Sequence, residues 1–358
     1  MIWSFAIILT FATALIVVDK LLAAPKYVEG DSDHFDGKKF VNPDDSGTHH
    51  YFDVLKWWFS GNDKGAWHKM SDKTVARFSA PEPKAAENEF RATFINHSTF
   101  LLQIGDLNIL TDPVWSDRAS PYQWIGPRRM RPPGIAFEDL PDINVVLLTH
   151  NHYDHLDIDT VHRLHEKYNP KFIVPLGVER FLHEEGIRDT VHLDWWDDYT
   201  FRKNFSLTAV PARHFSGRGL FDRNKTLWCG YVLHTTLGNI YYAGDTAYGK
   251  FIKEIGNRFG PMQTSFIPIG AYKPRWFMES IHISPEEAVQ VHRDVDSQQS
   301  VAMHFGTFPM ADDGMYEPVE ALRKELEVKG VQQEEFRVLK EGETLVRKTD
   351  KVPAKITP

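Results

Sequence analysis

From Phe90 onward the chain breaks into short apolar runs separated by polar turns. Arg91–Ile95, Phe100–Ile104 and Leu107–Thr111 read as strands, with His97-Ser98 and Gly105-Asp106 as the turns between them. The second pair has the spacing of a tight hairpin. Beyond Val145–Thr149, a continuous apolar run, strands alternate with helical spacing. Ile158–Tyr168 predicts a helix, Lys171–Pro175 a strand, Gly177–Glu185 a helix and Val191–Leu193 a strand. Phe205–Pro211 and Leu227–His234 read as strands, and Asn239–Ala243 as the hairpin partner of the latter. Ala247–Asn257 predicts a helix, Ser265–Ile269 a strand, Ser300–His304 a strand and Pro318–Glu327 a helix. Ser284-Pro285-Glu286-Glu287 is a helix start, with Ser as N-cap, Pro at the first position and Glu three on. Hairpin strands followed by alternating strands and helices predict an α/β chain. Its architecture is an αββα sandwich of two mixed sheets with helices on the outer faces.

The flanks follow a different pattern. Met1–Val18 carries no charged side chain, and Asp19 and Lys20 end the run. Its length is near the lower limit of the roughly 20 residues that cross a bilayer. It reads as a retained anchor, against a cleaved signal or a buried core helix. No Lys or Arg precedes it, and Ala23-Ala24-Pro25 makes a poor cleavage site. The expected organisation is an apolar anchor or signal at 1–24, an irregular extension at 25–89, the main domain at 90–345 and a tail at 346–358. Within the extension, the aromatic cluster from Tyr51 to Phe59, with Trp57-Trp58-Phe59, is either a helix packed on the domain or a contact with a lipid interface. The long loop from Val114 to Pro141 holds Trp115, Trp124, Arg128 and Arg129. A loop of that length is usually functional or disordered, so it reads as a binding surface or as a cover with solvated arginines.

Composition removes several function classes. Net charge is −8 and no basic stripe stands out, which argues against a nucleic-acid partner. A single cysteine, Cys229, allows no intrachain disulfide and no zinc held by thiolates alone. Any metal site must rest on His and carboxylates.

Those residues cluster directly after Val145–Thr149, in His150-Asn151-His152-Tyr153-Asp154-His155. Alternate side chains of an extended segment point the same way, so His150 and His152 can converge on one ion. Asp154 and His155 turn towards a neighbouring position. Four ligands cannot share one tetrahedral ion that keeps an open site, so two adjacent metals fit better. Each metal then lacks ligands. His214, Asp245 and His304 each end an apolar run, as His150 does, and are the candidates to supply them. His162, His165 and Glu166 read as a solvated helix face, and Trp195-Trp196-Asp197-Asp198 as packing and a turn.

The cluster resembles the His-x-His-x-Asp-His signature of the metallo-β-lactamase-fold hydrolases. Further segments look like one branch of them, the N-acyl-phosphatidylethanolamine-hydrolysing phospholipases D. These are Ala243-Gly244-Asp245-Thr246, Pro268-Ile269-Gly270-Ala271-Tyr272, Pro274-Arg275-Trp276-Phe277-Met278, His282 with Pro285-Glu286-Glu287-Ala288, and His304-Phe305-Gly306-Thr307-Phe308. The resemblance covers roughly residues 90–345 and leaves the apolar N-terminus outside. It implies two Zn2+ ions, one held by His150, His152 and His214 and the other by Asp154, His155 and His304, with Asp245 between them. It also implies a catalytic part for Asp154, which would orient the nucleophile, and for His282, beside the substrate phosphate. The implied reaction cleaves N-acyl-phosphatidylethanolamine to phosphatidate and an N-acylethanolamine, by attack of a metal-bridging hydroxide on phosphorus. The leaving alkoxide would take its proton from water or from protonated His282. Tyr153, Trp115, Arg128, Arg129 and Tyr272 are the expected substrate contacts. A membrane phospholipid, the membrane itself and, by resemblance only, a second copy of the chain are the expected partners. A lactonase or a phosphodiesterase for a soluble substrate is the nearest alternative, and a non-catalytic metal-binding module a distant one.

Overall fold

Side chains of the central strands alternate between two buried cores. Val145 and Leu147 join one, while Val146 and Leu148 join the other. Ile109 and Leu110 divide in the same way, as does Ile173 from Phe172 and Val174. A strand covered on both faces needs the continuous apolar run that the sequence shows there. The structure is a computed structural model, which describes residues 13, 16–25, 27, 30, 32–44, 51–61, 63–71 and 78–348.

Among the described residues the strands form two seven-stranded sheets, in the orders β14-β1-β2-β3-β4-β5-β6 and β13-β12-β11-β10-β9-β8-β7. The first comprises β1 (Glu89–Asn96), β2 (Thr99–Ile104), β3 (Leu107–Thr111), β4 (Val145–Leu147), β5 (Lys171–Pro175), β6 (Thr190–Leu193) and β14 (Thr344–Lys348). The second comprises β7 (Asp198–Arg202), β8 (Phe205–Val210), β9 (Gly230–Thr235), β10 (Gly238–Tyr242), β11 (Met262–Pro268), β12 (Ser300–Met303) and β13 (Phe336–Arg337). Both sheets are mixed: β1–β2–β3 and β7–β10 pair antiparallel, while β3–β6 and β10–β13 run parallel.

Helices cover both outer faces, as expected. Ile158–Tyr168 and Val178–Glu184 bury Val161, Leu164, Val178 and Leu182 against the first sheet. Lys250–Phe259, Pro285–Asp294 and Glu317–Lys329 contribute Ile252, Ile255, Ala288, Val289, Leu322 and Leu326 to the larger core. Ser284 caps Pro285–Asp294 in a capping box: its hydroxyl accepts from the Glu287 N–H, and the Glu287 carboxylate accepts from the Ser284 N–H.

Three strands differ from the expectation, the two-residue β13 among them. Neither β7 nor β14 announces itself, because both are edge strands with only partial burial. Charged and polar side chains blunt such edges and erase the apolar signal. The pairing of Lys348 with Glu89 carries the sheet three residues past 345. Trp196 turns between β6 and β7 in the left-handed region, at φ 73°, and Trp195 is buried.

The anchor expected at 1–24 falls largely outside the described residues. Among those described, no helix is long and apolar enough to cross a membrane. Residues 16–22 are helical and end on the domain. Asp19 accepts the Leu220 and Phe221 N–H groups at 2.6 and 2.8 Å, and the Ala24 N–H reaches Asp222 at 2.9 Å. In the extension, the aromatic cluster forms helix α1 (Tyr51–Phe59), which packs on the domain through one face. Trp57 stacks on Phe277 at 5.0 Å and donates to Asp312, while Phe52, Trp58 and Phe59 stay exposed.

Candidate metal centre

The segments that follow β4, β8, β10 and β12 meet at one end of the sandwich. They bring together all seven predicted ligands. His150, His152 and His214 form one group, with His150 Nε2 2.9 Å and His214 Nε2 3.3 Å from His152 Nδ1. Asp154, His155 and His304 form a second group, in which Asp154 Oδ2 lies 3.4 Å from His155 Nε2 and 3.3 Å from His304 Nε2. Asp245 Oδ2 stands between them, 3.3 Å from His155 Nε2, 3.1 Å from His304 Nε2 and 3.7 Å from His214 Nε2.

These residues fit a metal pair. A tetrahedral ion with ligands at about 2.0–2.2 Å sets its donors about 3.3–3.6 Å apart, and the donors here lie 2.9–3.7 Å apart. His155 Nε2, His304 Nε2 and Asp245 Oδ1 are buried without a hydrogen-bond partner. Buried polar atoms are normally paired, and the two imidazole nitrogens, each 3.1–3.4 Å from Asp154 Oδ2 and Asp245 Oδ2, call for a ligand.

Neighbouring groups fix how the rings face. His150 Nδ1 meets Thr149 Oγ1 at 3.0 Å, and His214 Nδ1 donates to the Ile281 carbonyl at 2.9 Å. His155 Nδ1 donates to Asp112 Oδ2 at 2.8 Å. Each bond leaves Nε2 turned inward. Asp112 also accepts from the Thr149 N–H and hydroxyl and from the Tyr242 hydroxyl. Gly244 makes the approach possible: its φ is 63°, and a Cβ there would meet the Thr149 side chain at 2.9 Å.

Electrostatics separates the two groups. Burial pushes His152 and His214 down to about 3 and His150 well below its usual value. Burial also works against charge on His155 and His304, but Asp245 and Asp154 outweigh it. His304 rises to about 9 and His155 well above its usual range. For Asp154 and Asp245 burial again opposes the charge, and the adjacent histidines hold both carboxyls well below the carboxylate range. The centre is thus an anionic pair of carboxylates amid imidazoles. It requires positive charge, from protons or from metal ions.

His282 sits at the rim, its ring 5.0 Å from that of His214 and its Nδ1 4.0 Å from Asp245 Oδ2. Burial, with His214 and His304 nearby, holds its pKa well below the usual value. That direction favours the neutral imidazole, and of the two expected proton sources it favours water over a protonated His282.

Two neighbours of the metal centre went unrecognised in the sequence. His97 lies in the predicted turn after β1. Its Nε2 meets Asp154 Oδ2 at 3.0 Å, its ring packs 4.1 Å from His304, and its carbonyl accepts the His304 N–H. Asp112 opens the long loop after β3. Both close an apolar run just as the ligands do, and that position was the available signal.

Above this floor lies a cavity of about 400 Å³, lined by Val54, Trp57, Tyr153, Phe215, Arg223, Phe277, Met278 and Ile281 among others. Of the five expected substrate contacts, Tyr153 lines it. The other four do not, for distinct reasons. Trp115 turns away, packing on Phe137 and donating to the Ile135 carbonyl. Arg128 is exposed beside Asp117. Arg129 is buried as a brace, donating to the Ser116 and Val114 carbonyls over the Phe308 ring. Tyr272 is buried outside the cavity wall.

A family model described as a β-lactamase superfamily domain matches residues 107–305. The N-acyl-phosphatidylethanolamine-hydrolyzing phospholipase D 1 of Caenorhabditis elegans is 39% identical over 272 residues, which cover 71% of this chain and 76% of that protein. The chain belongs to the N-acyl-phosphatidylethanolamine-hydrolysing phospholipase D branch of the β-lactamase superfamily. A mitochondrial phospholipase D of the same name from Saccharomyces cerevisiae is 34% identical, covering 71% of this chain and 55% of its own length. Among solved structures, a metallo hydrolase from Ignicoccus hospitalis superposes with a TM-score of 0.57 at 21% identity, over 73% of this chain and all of its own. That likeness shows the shared fold. Membership of this branch, with its donor cluster intact, makes the chain a metal-dependent hydrolase.

Proposed function

We propose that the chain is a dinuclear zinc phosphodiesterase of phospholipase D type. It cleaves N-acyl-phosphatidylethanolamine to phosphatidate and an N-acylethanolamine. The observation that carries this reading is the floor of seven donors, in two groups joined by Asp245, beneath apolar walls. His150, His152 and His214 would hold one ion, Asp154, His155 and His304 the other, and Asp245 both. When bound, the ions would acidify a water and neutralise charge that builds on a phosphoryl oxygen.

The chain's own residues do the rest. Asp154, steadied by His97, is placed to orient the attacking water. Neutral His282 faces the cavity as a hydrogen-bonding group for the phosphodiester, and the leaving alkoxide takes its proton from water. Val54, Trp57, Phe277 and Met278 give acyl chains an apolar path and exclude bulk water.

The same segments turn apolar side chains outward. Helix α1 exposes Phe52, Trp58 and Phe59 while Val54 and Trp57 line the cavity. The loop that supplies Ala119 and Pro127 exposes Trp124 and Ile125, and the loop of Arg223 exposes Leu220 and Phe221. A cavity rimmed in this way suits a substrate drawn from a lipid surface. Asp19 ties the end of the N-terminal apolar segment to that rim, so membrane attachment through the segment would bring the rim to the bilayer.

Product mass tests the reading. Purified protein is incubated with N-acyl-phosphatidylethanolamine, phosphatidylcholine and an acyl-homoserine lactone. Phosphatidate and N-acylethanolamine should form from the first, and chelator should stop the reaction. Chelation should also lower the melting temperature, with zinc restoring both readings; activity that survives exhaustive chelation sinks the metal assignment. An opened lactone with no diester cleavage would favour the lactonase. His282→Ala should keep its metal and lose about 100-fold in kcat/KM, the scale of a misplaced reacting group. Near-normal turnover with full metal would remove His282 from the mechanism.

A further inference from the structure

The cavity wall holds one feature that neither the metals nor the acyl chains use. Among the described residues that line it, Arg223 is the only Lys or Arg. Its guanidinium lies over the Phe215 ring at 4.1 Å, and that ring meets His152 at 4.4 Å. The charge is therefore placed on the wall beside the first ligand group, and it is one of the influences that depress the His152 imidazole.

The backbone that presents Arg223 is held on both sides. The Asp222 carboxylate accepts the N–H groups of Arg218, Gly219 and Ala24. Asn224, at φ 61°, donates its N–H to the Ser216 carbonyl and is bonded to Phe40 through both backbone and side chain. A long cationic side chain on so fixed a loop, stacked on an aromatic face, keeps its charge at one place.

We propose that Arg223 sets the head-group charge that the site accepts, admitting phosphodiesters whose head group carries no cation and rejecting those with an ammonium. The proposal rests on the phospholipid reading above. Its chemistry is simple. In an N-acylated ethanolamine head group the nitrogen is an uncharged amide, so the lipid is a monoanion. In phosphatidylethanolamine or phosphatidylcholine the same nitrogen is a cation a few bonds from phosphorus. A guanidinium on the wall repels that cation and leaves the amide untouched. At an effective dielectric of about 20, unit charges held within one such cavity change a rate ratio by roughly tenfold or more. Discrimination then comes from a repulsive element as much as from an attractive one.

The test compares two lipids that differ at the nitrogen, N-acetylphosphatidylethanolamine and phosphatidylethanolamine with identical acyl chains. Both are presented in one mixed micelle, so that surface concentration cancels. The full chain and its Arg223→Gln and Arg223→Lys variants are assayed with zinc content and melting temperature as controls. In Arg223→Gln the preference for the N-acylated lipid should fall at least tenfold, and Arg223→Lys should stay near the parent. An unchanged preference overturns the proposal, whether both rates hold or both fall together. Equal loss on both lipids would assign Arg223 to the phosphate that they share. If the parent chain cleaves neither diester, the phospholipid reading fails and the proposal with it. If the parent cleaves the N-acylated lipid and the ratio does not move, only the proposal fails.

Discussion

Asp245→Ala should abolish hydrolysis and strip the centre of metal. Asp245 Oδ2 is within 3.1–3.7 Å of donors from both ligand groups. Alanine leaves a gap between two sets of imidazoles and removes one of the two carboxylates that offset cationic charge there. Bound ions would contribute several kcal/mol of transition-state stabilisation, so the rate should fall by roughly 1,000-fold or more. Metal per chain, measured by mass spectrometry beside turnover, checks both parts. A variant that keeps two ions and a tenth of the activity would show that Asp245 is no bridge.

Asp112→Ala should have the largest effect on stability. One fully buried carboxylate takes His155 Nδ1, the Thr149 N–H and hydroxyl and the Tyr242 hydroxyl. Alanine strands the His155 Nδ1–H and the Thr149 N–H in the core and takes one of two partners from each hydroxyl. Breaking such a buried charged network costs about 3–5 kcal/mol. The same change frees the His155 ring, and loss of a carboxylate behind a ligating histidine typically weakens metal affinity by about 10–100-fold. Denaturant unfolding of the metal-free chain isolates the first effect and zinc titration the second. Unchanged unfolding of the metal-free variant would contradict the account of the core.

The sequence made some of this legible, for physical reasons. Strands buried on both faces, such as Val145–Leu147, must be apolar throughout, and they show as runs. The ligands show because each ends such a run and because His150 to His155 lie together. Asp112 and His97 end runs too, but a lone polar residue at a strand end is ordinarily just satisfied. Only the fold brings Asp112 to His155 and His97 to Asp154, across 43 and 57 positions of chain. Edge strands β7 and β14 are muted by their exposure. The long loop misled in a different way. Its arginines suggested a binding surface, yet Arg129 braces its own loop backbone, and the cation on the cavity wall is Arg223, from a segment with no distinctive composition. Trp57 and Trp58 are adjacent in sequence and face opposite environments, one lining the cavity and the other open to solvent. Helical geometry separates them, and composition does not.

The central claim is that water adds to phosphorus and the head-group alcohol leaves. Hydrolysis of N-acyl-phosphatidylethanolamine in 18O-labelled water tests it directly, with both products weighed by mass spectrometry. Attack at phosphorus predicts one 18O in phosphatidate and none in the N-acylethanolamine. Label in the N-acylethanolamine would mean that the carbon–oxygen bond breaks instead, and would contradict the account.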